Sequence, residues 1–179
     1  MRTMTRMLSM PLLLSIAAPA FAHPGHDLHT AGFVDGLLHP LLGLDHLLTM
    51  LLVGVWAAQL GGKARWLLPT SFAAVMALGA SLAIGGVVLP QIEAGIAASM
   101  LIMLLLAVSA LRLSPMPALL LTGVFAVFHG AAHGLELPAL AQPAMFALGF
   151  LTSTAALLVA GVMLQPLLAQ RSIHNAATA

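Results

Sequence analysis

Two groups of polar side chains interrupt otherwise apolar stretches of this chain: His39, Asp45, His46 and Met50 in one, and His129, His133 and Glu136 in the other. A third string, His23-Pro24-Gly25-His26-Asp27-Leu28-His29, lies nearer the N-terminus, so seven of the eight histidines fall in three short segments. Imidazole, carboxylate and thioether are metal-ligand groups. This mixture suits a borderline divalent transition ion such as nickel, cobalt, zinc or copper, whereas magnesium and calcium prefer oxygen alone. A lone histidine inside a protein is ordinarily a hydrogen-bonded packing residue. Seven of them gathered in a chain with so few other polar groups argue for ligation instead. His129 and His133 have the His-x-x-x-His spacing of zinc hydrolases, but those enzymes place a glutamate general base after the first histidine, and here that residue is Gly130.

The elements that position these groups follow from composition. Hydrophobic residues make up 61% of the 179, charged residues only 6%, and the mean hydropathy is +1.07. Soluble domains carry about 25% charged residues, so the expectation is an all-α integral membrane protein. The single basic residues form no patch for nucleic acid, and the absence of cysteine excludes disulfides and thiolate ligands. Residues 1–22 read as a cleavable signal peptide: Arg2 and Arg6, the apolar run Leu8 to Ala18, then Ala20-Phe21-Ala22 as a cleavage site. Residues 23–36 follow as a His-rich periplasmic segment, 37–167 as the transmembrane domain and 168–179 as a cytoplasmic tail. Within the domain, apolar runs of bilayer length predict a compact bundle of about five spans, at about 37–60, 66–89, 92–112, 116–137 and 143–167. Lys63, Arg65, Arg112 and Arg171 lie at one set of ends, with Glu93 and Glu136 at the other. The positive-inside rule then gives a periplasmic N-terminus and a cytoplasmic C-terminus in a bacterial inner membrane.

Helical periodicity puts the polar groups on inward faces. At about 100° per residue, His39 and His46 return to nearly one face with Met50 a turn beyond, while Asp45 points aside by roughly a quarter turn, placed to orient His46 or to line the cavity from its flank. His129, His133 and Glu136 fall within about 60° on their helix. With about 1.5 Å of rise per residue and antiparallel spans, His39 matches His133 in depth and His46 matches His129. Asp35 can serve as a helix cap or a site residue. Pro40 is placed in a tolerant first turn, and Trp56 and Trp66 flank the first cytoplasmic loop as interface anchors unless one packs inside. Gly130 with Gly134, and Gly79 with Ala83, have helix-contact spacing. Met76, Met100 and Met103 read as packing residues in the inner half.

On the string His39-Pro40-Leu41-Leu42-Gly43-Leu44-Asp45-His46-Leu47-Leu48-Thr49-Met50 with Val53-Gly54, and on Phe128-His129-Gly130-Ala131-Ala132-His133-Gly134-Leu135-Glu136, the chain resembles the HupE/UreJ family of nickel and cobalt permeases. The resemblance extends over essentially the whole length. It implies secondary import of Ni²⁺ or Co²⁺ for metalloenzymes such as hydrogenase and urease, with His39, Asp45, His46, His129, His133 and Glu136 as transport residues. His23, His26 and His29, beside a new terminal amine, would gather the dilute cation first. On this reading the protein is no enzyme and holds no cofactor. Its partners are the metal ion and the lipid bilayer, with homo-oligomerisation open. An intramembrane zinc-dependent hydrolase is the alternative, and a haem protein with paired axial histidines a third.

Overall fold

The computed structural model describes residues 32–137 and 142–177; the leader and the histidines His23, His26 and His29 lie outside them. Six helices and no strand occur among the described residues: α1 (Phe33–Leu42), α2 (Leu44–Leu60), α3 (Ala64–Ile84), α4 (Ile92–Ser109), α5 (Pro115–Glu136) and α6 (Pro143–Ala177). Four stretches are long and apolar enough to cross a membrane: α3, α4, α5 and residues Pro143–Ala169 of α6. α1 and α2 pass the same test only together, as one span broken by an 80° bend, which brings the number to five. The protein is therefore an all-helical, multi-pass membrane protein.

The break corrects the expected straight helix over 37–60. α1 starts earlier than that, after Gly32, and Asp35 caps it by accepting the Gly32 N–H at 3.0 Å. The cap thus accounts for Asp35. Pro40 consequently falls in the last turn of α1 rather than the first turn of a span. Its ring nitrogen cannot donate to the carbonyl four residues back, so the helix is weakened where it ends. Gly43 is extended, at φ −86° and ψ 110°, and α2 restarts at Leu44 on a new axis. At the other end of the chain α6 continues through Pro166 to Ala177, so the segment drawn as a tail prolongs the last helix.

Glycines let the helices approach at backbone distance. A Cβ on Gly130 would collide with the Met76 carbonyl, one on Gly134 with that of Ala80, and one on Gly79 with that of Val127, which seats α5 against α3. The same device seats α6 on the broken span, where Gly36 meets the Phe146 carbonyl and Gly54 that of Leu158. In lipid, where apolar surface gains little by burial, such close van der Waals contact carries helix association. Outward residues such as Leu105, Val108, Leu120 and Val124 are exposed, as a lipid-facing surface requires. The interior of the bundle is packed with Trp56, Leu68, Phe72, Met76, Met103 and Leu158. Trp56 is therefore no interface anchor: it is fully buried and its Nε1–H donates to the Leu111 carbonyl at 2.8 Å. Trp66 is half-exposed beneath the Arg65 guanidinium.

Candidate metal site

The break at Gly43 delivers two histidines from two helix ends. His39 comes from the last turn of α1, and Asp45-His46 from the first turn of α2. Asp45 Oδ1 accepts the His46 backbone N–H at 2.8 Å and the His46 Nδ1–H at 2.9 Å. One carboxylate thus complements the positive end of the α2 dipole and fixes the neighbouring ring. A Cβ at Gly43 would lie 3.1 Å from Asp45 Oδ1 and 3.4 Å from His46 Nδ1, close enough that the pair would have to shift.

α5 supplies the opposite wall without any irregularity. His129, His133 and Glu136 follow one face of a continuous helix, and both histidines are buried. Across the gap, His133 Nε2 lies 2.7 Å from His46 Nε2. The His39 ring sits edge-on to His133 with centroids 4.8 Å apart, and His46 is perpendicular to His129 at 4.7 Å. Ligand atoms of His39, His133 and Glu136 all lie within 4.8 Å of one another. His39 faces His133 and His46 faces His129, as depth matching expected. The straight-helix premise behind that match does not hold, and the shortest contact, between His46 and His133, crosses the expected pairs. α2 and α5 meet through side chains, while their backbones are held apart by neighbours: α6 packs on α1 and α2, and α4 lies against both α2 and α5.

His39, Asp45, His46, His133 and Glu136 line a cavity of about 230 Å³ together with Gly43, Ile92, Glu93, Ile96 and Ala132, and His129 lies behind the His46 ring, outside that lining. Burial grades along it. Glu93 is exposed, His39, Asp45 and Glu136 are half-buried, His46 and His133 are 7% and 5% exposed, and His129 is fully enclosed. The carboxylates and His39 therefore stand nearer the mouth, and His46, His133 and His129 deeper. Glu93, from the first turn of α4, is a cavity residue that sequence reasoning used only for topology. Its signal was available: it is one of five acidic residues in the chain and sits at the same membrane end as Glu136. Ser99, two turns further along α4, was also missed. It is fully buried and lies 2.8 Å from His129 Nε2. Met50 departs from expectation in the other direction, being completely buried in the apolar core and outside the cavity lining.

The proton inventory shows what the site can do. With its Nδ1–H held by Asp45, neutral His46 presents only a lone pair at Nε2, so the hydrogen of the 2.7 Å contact comes from His133. His133 Nδ1 lies 3.7 Å from Glu136 Oε2. Moving the His133 proton to that nitrogen frees two Nε2 lone pairs that already point together. Two imidazoles on one ion, each at about 2.0–2.1 Å, sit about 3 Å apart, so a small opening of the pair suffices.

A family model described as HupE / UreJ protein matches residues 11–179. Protein HupE of Rhizobium leguminosarum bv. viciae is 41% identical over 155 residues, covering 87% of this chain and 81% of that protein. No solved structure matches the chain. A match from residue 11 to the last, together with paired histidine walls facing one cavity in a multi-pass helical bundle, establishes that this chain belongs to the HupE/UreJ family.

Proposed function

We propose that the protein is a permease importing Ni²⁺ or Co²⁺ across the bacterial inner membrane, with its N-terminus periplasmic and its C-terminus cytoplasmic. The observation that carries this reading is the 2.7 Å pairing of His46 with His133, braced by Asp45 and adjoined by His39 and Glu136 at one membrane end. A hydrated cation enters past Glu93 and exchanges water for His39, His133 and Glu136. It then shifts to His46 with His133 retained as the shared ligand, and His129 receives it at the closed end. His23, His26 and His29 gather the ion beforehand. Asp45, Glu93 and Glu136 lower the cost of bringing a double positive charge toward low dielectric. An inside-negative potential supplies about 2.3 kcal/mol per charge per 100 mV, and twice that for a divalent ion, so the gradient alone can drive import.

Purified protein in vesicles tests this directly. Radioactive nickel and cobalt should accumulate when a negative interior potential is imposed, and accumulation should fall when the potential is collapsed. Hydrolysis of lipid or peptide by protein holding stoichiometric zinc, with no metal flux, would favour the hydrolase alternative. The pH dependence has a definite sign. Ligating imidazole must be neutral, so uptake is full above the histidine range and declines as the medium falls below about pH 6. Flux unchanged between about pH 7.5 and 5.5 would contradict ligation by histidine during transport.

A further inference from the structure

We infer that Ser99 is a positioning residue that fixes the tautomer of His129, leaving Nδ1 as the ligand atom of an inner ion station. The inference deepens the transport reading and rests on it. Ser99 Oγ makes two short contacts, 2.6 Å to the Ile96 carbonyl oxygen and 2.8 Å to His129 Nε2. A hydroxyl has one hydrogen. A carbonyl oxygen has none to give, so at 2.6 Å that hydrogen must lie toward Ile96; otherwise two oxygens would face each other with lone pairs alone. The contact to His129 then needs its own hydrogen, which only the Nε2–H can supply. Thr49 Oγ1, at 3.5 Å, approaches the same oxygen from α2.

The consequence falls on the other ring nitrogen. A neutral imidazole protonated at Nε2 carries a bare lone pair at Nδ1. That atom is enclosed and has no hydrogen-bond partner, on a residue with no exposed surface. Leaving an acceptor unpaired in the interior costs about 1–3 kcal/mol, so the arrangement needs a compensating role. The His46 ring, perpendicular at 4.7 Å, is the nearest cavity imidazole, and the Phe72 ring is its aromatic neighbour at 6.1 Å. A lone pair held unpaired one step inward from His46 is a receptor for the cation released there. Ser99 acts through His129 rather than on the ion, as outer partners of ligating histidines commonly do.

The test reads the tautomer itself. Full-length protein carrying nitrogen-15 histidine is reconstituted in nanodiscs and examined by magnetic resonance with and without Zn²⁺, a diamagnetic probe, with the His129 signals assigned by their loss in His129→Gln. The expected result is a proton on Nε2, none on Nδ1, and a Zn²⁺-dependent shift of the Nδ1 signal. Ser99→Ala should show both tautomers and raise the KM for nickel uptake about tenfold, while Ser99→Thr, which keeps the hydroxyl, restores both. A proton on Nδ1 in the unmodified protein, a Zn²⁺-insensitive Nδ1, or Ser99→Ala with unchanged tautomer and KM each overturns the inference. Should Ser99→Ala fail to fold, the unmodified protein's spectrum decides. Absence of nickel uptake by unmodified vesicles would instead refute the transport reading, with the Nδ1 measurement still standing on its own.

Discussion

The two walls of the cavity are built in opposite ways. α5 carries His129, His133 and Glu136 on an uninterrupted helix, where spacing alone aligns them. The facing wall places His39 and His46 on two helices turned 80° apart, joined through one extended glycine. A continuous helix offers side chains only. A break also offers two helix ends, with the carbonyl end of α1 attracting a cation while Asp45 offsets the positive end of α2. Discontinuous helices at ion sites are a recurring solution in membrane transporters, because irregular backbone is tolerated where it lines a cavity. The regular wall fixes register, and the broken wall brings two helix ends and a braced imidazole to the cavity.

The comparison is broken most severely by removing its point of contact. His46→Ala and His133→Ala should each reduce nickel uptake about 100-fold at unchanged protein amount, to a rate still measurable above that of empty vesicles. Because the two rings act as one unit, the double variant should be no worse than either single one, a non-additivity that a coupled pair requires. Independent, additive losses would mean that the two walls do not share an ion. Next in size is Asp45→Asn, which keeps the shape of the carboxylate and removes its charge. With the second partner of His46 weakened, nickel affinity measured by saturation of uptake should fall about 10- to 100-fold.

A smaller effect separates broken from regular backbone. In Gly43→Ala the new Cβ meets Asp45 Oδ1 at 3.1 Å and His46 Nδ1 at 3.4 Å, pushing the pair off its alignment by tenths of an ångström. Displacement of that order should lower uptake by up to about tenfold. Gly123→Ala on α5 is the control, since a Cβ there meets nothing within 4 Å and uptake should not change. Equal losses in both variants would show that the break has no special role.

Legibility in the sequence follows the same division. The α5 wall could be read directly, because helical period is a local property and nothing interrupts it. On the broken wall the sequence named His39, Asp45 and His46, which line the cavity, and Met50, which does not, and it put all four on one straight helix. Seven residues bring His39 and His46 back to one face of a straight helix, so the wheel gives the same answer with or without a break. Pro40 and Gly43 held the signal, but a proline near a span end is equally compatible with a tolerated first turn. Glu93 escaped because an acid in the first turn of a helix already has an ordinary dipole role. Ser99 escaped because a lone serine in an apolar helix usually bonds its own backbone, which it does here as well as touching His129. What periodicity cannot encode is a contact between helices, and both missed residues sit on α4, a helix that carries no histidine.

Met50 gives the smallest effect, and it tests how far the polar wall extends. The spacing that links it to His46 made it a thioether ligand in prospect, yet it is fully buried among apolar neighbours with no share in the cavity lining. Its sulfur fills core volume there, a role that leucine reproduces at a cost of less than about 1.5 kcal/mol. Met50→Leu should therefore leave nickel and cobalt uptake, and their ratio, unchanged within error, with a small drop in thermal stability. A selective loss of nickel uptake at normal stability would place a soft ligand on the ion path one turn inward of His46. The burial gradient that ends at His129 would then have to continue into the core.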